Sequence, residues 1–169
     1  MTRQPVGEEV MTPQRVVPDF TDFYRTSYEP VAKALAYALG DVELGAEAAD
    51  EAMARAFARW SKVVDYDNPA GWVYRVGLNW ARSVHRRLAR RMPFVEREVV
   101  EPPCADPEVA AALGRLDAKH RDVVVCRLLL DWSVGETASA LELAPGTVKS
   151  RLHHALRRLA VDLSHLDAS

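Results

Sequence analysis

The sequence predicts an all-α protein built from two small helical modules. Three observations carry the prediction. Alanine is abundant, and no run alternates apolar and polar residues with period two. Apolar residues recur instead at helical spacing in several segments. Proline-rich stretches then divide the chain: Pro5, Pro13 and Pro18 mark a flexible tail at 1–18, and Pro93, Pro102, Pro103 and Pro107 mark an extended linker at 92–108. The modules left between them are residues 19–91 and 109–166. With 169 residues, 49% of them hydrophobic and 27% charged, the chain can fill such cores and is too apolar to be disordered throughout.

The first module reads as four helical segments. Residues 19–28 carry Phe20, Phe23 and Tyr24. Residues 30–39 open on Pro30, which suits a first helical turn, and stop before Gly40. In 46–60, Ala49, Ala52, Met53, Ala56, Phe57 and Trp60 form one stripe toward a core, leaving Asp50, Glu51 and Arg55 outside it. Asn68-Pro69 then signals a turn. The helix over 70–91 puts Trp72, Val73, Val76, Gly77, Trp80 and Val84 on one broad face. On the other side Arg75, Asn79, Arg82, Arg86 and Arg90 make a nearly straight ladder of donors. Trp72, Tyr74 and Trp80 read as core residues rather than base-stacking platforms.

The second module is sharper. Residues 119–131 are an amphipathic helix rich in Val and Leu, with Cys126 on its apolar face as a small core hydrophobe. Ser133 and Glu136 make a capping box that starts a helix at Val134. After a short break, Pro145 fits the first turn of a third helix, on which Val148, Leu152, Ala155, Leu156 and Leu159 face inward. A short helix, a tight turn and a donor-rich helix make a helix-turn-helix, whose second helix enters the major groove. Thr147, Lys149, Ser150 and His153 are placed to reach base edges, and Arg151, Arg157 and Arg158 to hold phosphates.

Charge alternates in blocks. The net charge of −2 hides five acids and no base in 41–51, six arginines and no acid in 72–91, −4 in 93–108 and +4 in 144–160. Nucleic-acid binding depends on such local stripes, not on the total. Other classes lose ground. No run of 18 apolar residues exists, so no membrane insertion is expected. The polar start MTRQPVGEEV lacks the apolar stretch of a secretory signal, which points to the cytoplasm. Cys104 and Cys126 fit neither a disulfide framework nor a zinc site, and His153-His154 diverge on a helix with no third ligand. With no phosphate loop or catalytic constellation either, neither an enzyme nor a cofactor is expected.

These residues resemble a known family. WSVGETASALELAPGTVKSRLHHALRRL is similar to region 4 of the extracytoplasmic-function (ECF) sigma factors of bacterial RNA polymerase. AEAADEAMARAFARW resembles their region 2.2, and NPAGWVYRVGLNWARSVHRR their regions 2.3 to 2.4. The resemblance covers 20–91 and 109–162 in order. It implies a non-catalytic initiation subunit of RNA polymerase. Region 2 would bind the polymerase clamp through Glu47, Asp50, Glu51 and Arg55. It would recognise and melt the minus-ten element through Asn68, Trp72, Arg75, Asn79, Arg82 and Arg86, with the loop Asp65–Gly71 at the position that captures a flipped base. Region 4 would bind the polymerase flap and read the minus-thirty-five element through Thr147, Lys149, Ser150, Arg151, His153 and Arg157. The implied partners are core RNA polymerase, promoter DNA and, as a common companion of the family, an anti-sigma factor. Ala144-Pro145 stands where the family often has Ser-Glu, Asp50 where it often has Gln, and Asp117 where it often has Pro. The acids of 41–51 and of the linker are expected to dock on the basic faces and make the free chain a poor DNA binder.

Two other readings are compatible with parts of the sequence. A stand-alone helix-turn-helix regulator would bind DNA as a dimer on palindromic half-sites, without polymerase. A helical protein-interaction module would bind an acidic partner and never DNA.

Overall fold

The structure, a computed structural model, describes residues 18–91 and 107–164. Among these the chain is helical without strands: α1 (Phe20–Leu39), α2 (Val42–Ala58), a single turn α3 (Trp60–Val63), α4 (Pro69–Arg91), α5 (Pro107–Gly114), α6 (Ala118–Val124), α7 (Val134–Leu141) and α8 (Pro145–Ser164). The tail before residue 18 and linker residues 92–106, including Cys104 and most of the −4 block, lie outside the described residues.

Helices α1, α2 and α4 pack on one another as a three-helix bundle. The α1–α2 corner is set locally. Gly40 adopts the left-handed conformation (φ 71°) and donates to the Ala36 carbonyl, and the Asp41 carboxylate caps α2 by accepting from Leu44 N–H at 2.9 Å. Val31, Leu35, Ala48, Ala52, Met53, Val63 and Val73 fill the bundle interior. The rings of Phe20, Phe23 and Trp60 meet tilted or edge-on with centroids 4.8–6.1 Å apart, and the Trp60 indole donates to the Pro18 carbonyl.

The second module turns on the capping box expected from sequence. Ser133 Oγ accepts from Glu136 N–H at 3.1 Å and Glu136 Oε2 accepts from Ser133 N–H at 2.8 Å. Helix α6 continues into a π-helical turn, Val125–Leu129, and the chain reverses at Asp131 (φ 52°). Val123, Ala138 and Val148 bind the helix-turn-helix together, while Leu116, Val124 and Ala155 seat α8 on α6.

The two modules share one core. Val125, Cys126, Trp132 and Ala140 of the second module join the cluster that holds Tyr74 and Leu78 of α4. The Tyr74 and Trp132 rings meet edge to face at 5.7 Å. Arg121 Nε donates at 3.0 Å to the carbonyl of Ala38, one of the orphan acceptors at the end of α1.

Five expectations are corrected. The segments 19–28 and 30–39 are one helix, with Pro30 inside it. Proline costs such a helix one hydrogen bond, which packing of both halves on a common core offsets. Helix α2 begins at Val42 rather than 46, because the Asp41 cap starts it. Phe57, placed on the inward stripe, is 66% exposed, and Leu156 on α8 is also exposed. The buried face of α4 is rotated toward Tyr74, Leu78 and Ala81, because the second module covers a flank that a lone bundle would leave to solvent.

Candidate nucleic-acid interface

Helix α4 starts on a side-chain cap. Asn68 Oδ1 accepts from Gly71 N–H at 2.8 Å, and Pro69 takes the position where a missing N–H is harmless. The ladder then runs along the helix but meets two different environments. Asn79 and Arg86 are exposed. Arg75 Nη1 donates to Glu142 Oε1 at 3.1 Å, and Arg82 Nη2 donates to both carboxylate oxygens of Asp122 at 2.9 and 2.7 Å. Both carboxylates belong to the second module. The acids of 41–51 instead lie on α2, and the ladder's ion pairs come from Glu142 and Asp122.

Asp122 is the buried member of this joint. Burial raises its pKa from the ordinary aspartate value, against the opposing pull of Arg82 and then of Arg121 and Arg151. The sign follows by linkage. An acid whose pKa is raised in the native state adds stability below its unfolded pKa and loses it as pH rises through the native value. Asp122→Asn, which keeps the shape, is therefore expected to flatten the fall in stability on going from acid toward neutral pH. Denaturant unfolding at several pH values checks this.

A cleft of about 560 Å³ lies beside the ladder. One wall is the loop Asp65–Asn68 with Trp72 and Arg75, and the other is α7, through Gly135, Glu136, Ser139 and Ala140. Trp72 is half-buried, its ring 6.4 Å from that of Tyr66. The loop and helix that the resemblance assigns to the minus-ten element thus face the first helix of the helix-turn-helix.

The outer side of α8 is differently placed. Lys149, Ser150, His153 and Arg157 are exposed, Thr147 and Arg151 half-buried. Ser150 Oγ donates to the Thr147 carbonyl at 3.2 Å. Arg151 also lines the cleft that holds Arg82 and Asp122.

The acidic residues of α2 form a third surface. Glu47 and Asp50 are exposed, and Asp50 takes a hydrogen bond from Tyr28, whose pKa is pushed up to about 12 by burial first and by that carboxylate second. Glu51 and Arg55 are engaged with each other at 2.7 Å across one helical turn. Exposed Phe57 stands on the same strip as Glu47 and Asp50. Sequence periodicity missed it by counting every aromatic as core. A fourth surface it missed is an apolar groove of about 210 Å³, lined by Val109, Leu113, Leu128, Leu129 and Leu163 with Tyr37 of α1. The runs of leucine were legible, but not which of them the bundle leaves uncovered.

A helical bundle bearing an arginine ladder, coupled to a capped helix-turn-helix, defines a two-module, all-α DNA-binding protein. Residues 107–159 match the model of the family described as sigma-70, region 4. The chain is 32% identical over 140 residues to the ECF RNA polymerase sigma factor SigL of Mycobacterium tuberculosis, covering 75% of this chain and 78% of that one. It is 31% identical over 154 residues to the RNA polymerase sigma-E factor of Streptomyces coelicolor, covering 86% of each. Among solved structures, the sigma factor RpoE of Bartonella quintana, in complex with the anti-sigma factor NepR, shares the fold at a TM-score of 0.76, with 19% identity and 86% and 97% of the two chains covered. CnrH, in complex with the cytosolic domain of CnrY, gives 0.56 with 25% identity over 89% and 88%. The chain belongs to the ECF RNA polymerase sigma factors. It is a non-catalytic initiation subunit, acting with core RNA polymerase at promoters. No described helix is long and apolar enough to cross a membrane.

Proposed function

We propose that residues 19–91 dock on the polymerase clamp and open the minus-ten element, that 109–166 dock on the flap and read the minus-thirty-five element, and that the described conformation is a closed, resting one. The observation that carries this is the pairing of Arg75 and Arg82 with Glu142 and Asp122. A guanidinium held by a carboxylate is not available to a phosphate. The outer face of α8 stays exposed, so the closed chain would read upstream bases but not hold the melted strand. Glu47, Asp50, Glu51 and Arg55 serve the clamp contact, with 92–108 as the linker between modules. The protein acts in the cytoplasm, where its polymerase works. An anti-sigma factor is the kind of partner that would hold the closed form; the solved neighbour RpoE is in complex with one, NepR.

Transcription with purified core polymerase on upstream fragments of the source genome tests the whole reading. Specific transcripts requiring both core and this chain are the expected result. Binding of one fragment by the chain alone, with no transcript, would favour the stand-alone regulator.

On the clamp surface, an exposed aromatic on the same helix strip as Glu47 and Asp50 has the form of an interface anchor. Phe57→Ala is expected to lower affinity for core polymerase by ten-fold or more, about 1.4 kcal/mol or beyond. The chain should stay folded, since the side chain is mostly in solvent and only its ring contact with Phe20, at 5.1 Å, is lost. Titration of fluorescent chain with core polymerase reads the effect.

A further inference from the structure

The cap at the start of α4 fixes more than the helix. An asparagine amide can present either end to its surroundings, but here the choice is made: Oδ1 is committed to Gly71 N–H at 2.8 Å. Nδ2 is therefore the end left over, and it is buried without a hydrogen-bond partner. The place is tight. A Cβ on Gly71 would come within 2.8 Å of that nitrogen and 3.4 Å of the Ala140 methyl, so the orphan donor sits at the seam between loop and α7. Asn68, Gly71 and Ala140 all line the cleft beside the Asp65–Gly71 loop. An unsatisfied buried donor costs free energy, and departure of α7 would uncover it on the side where a base would enter.

We propose that Asn68 is a specificity-determining residue, its Nδ2 donating to an acceptor atom of the base everted into this loop. The proposal rests on the reading that the loop captures a flipped minus-ten base. Thymine, cytosine, guanine and adenine differ in where they carry acceptors and amino donors, so a donor of fixed direction discriminates among them. A residue with a freely turning amide could not, because it would present whichever end suited the base.

Asn68→Asp separates base reading from helix capping. Aspartate caps a helix as well as asparagine and suits the positive helix start, so the start of α4 is kept. It exchanges the donor for an acceptor and adds one negative charge. That charge weakens binding to every DNA about equally, so the informative quantity is relative preference. Wild-type and Asn68→Asp chains are loaded on core polymerase and titrated with fork promoters carrying each of the four bases at each minus-ten position of the non-template strand. A parallel set with 2-aminopurine at each position reports which base unstacks. The expected result is one unstacked position at which the variant changes base preference by about ten-fold, toward bases with an amino donor. Unchanged relative preference at an unstacked position overturns the role of Asn68 and leaves base capture standing. No unstacked position overturns base capture itself, and the proposal with it.

Discussion

Chains carrying Ala140→Asp will bind minus-ten fork DNA about ten- to hundred-fold more tightly than wild type in the absence of polymerase. Ala140 is buried on the side of α7 that joins the core of the N-terminal module, not the core of its own. The Ala140 methyl lies only 3.4 Å from where a Gly71 Cβ would stand, so a larger side chain there overfills the seam of the closed form but stands in water once the modules part. Overpacking of this kind costs about 1–3 kcal/mol, so the balance moves to the open form. Apparent affinity is the intrinsic affinity reduced by the open fraction, and an open fraction of roughly 1–10% gives the stated range. The added negative charge works against DNA binding, so a gain reports opening and nothing else. Glu142→Gln is the milder companion. It removes an exposed pair worth about 0.2–1 kcal/mol and should raise affinity less than about five-fold. Anisotropy of labelled fork DNA measures both, and the hydrodynamic radius should grow with affinity. Equal affinity in a variant that is folded and expanded would show that closure does not mask the ladder.

The reason this joint escaped the sequence is physical. Helical periods, the Asn68 and Ser133 caps and the Gly40 stop are local, and each was legible because its cause lies within four residues. The arginine ladder was legible for the same reason. Its partners were not. Asp122 and Glu142 lie 40 and 67 residues from Arg82 and Arg75, in segments whose local charge is unremarkable. The acids that attract notice, in 41–51, are held on α2 by their own helix, facing away from the bundle core. Charge blocks told that the basic face needs a counterpart; only the packing of Trp132 on Tyr74 decides which carboxylates can be there.

Phe57 teaches the complementary lesson. Its position fits the stripe Ala49, Met53, Ala56, Trp60 at helical spacing, and periodicity has no means of trimming a stripe that is one residue too wide. The α1–α2 contact supplies the limit. Gly45 and alanines at 48, 49, 52 and 56 are small, so the helices approach closely and the seam is narrow. A residue at the margin of such a seam is pushed outside. Capping motifs and residue periods thus gave the elements, while the side-chain volumes at the contact decided which faces stay exposed for a partner.

That close approach leads to the second large effect. Gly45→Ala should lower the stability of the N-terminal module by about 2 kcal/mol, even though alanine is the better helix former by about 1 kcal/mol. A Cβ at Gly45 would lie 2.5 Å from the Ala36 amide nitrogen and 2.6 Å from its Cα. These are backbone atoms in the last turn of α1, so no rotamer change relieves the overlap and one helix must move. Thermal unfolding should fall by about 4–8 °C at this chain length. Gly114→Ala, where an added methyl meets nothing within 4 Å, is the control and should be neutral or slightly stabilising. The damage should also be directional. Moving α2 displaces Glu47, Asp50 and Phe57 together, so core-polymerase affinity should fall at temperatures where the chain is still folded. The outer face of α8, anchored on α6 by Val124 and Ala155, should keep its contacts with upstream DNA. Equal losses in both assays would mean that the shift in α2 travels through the shared core into the second module.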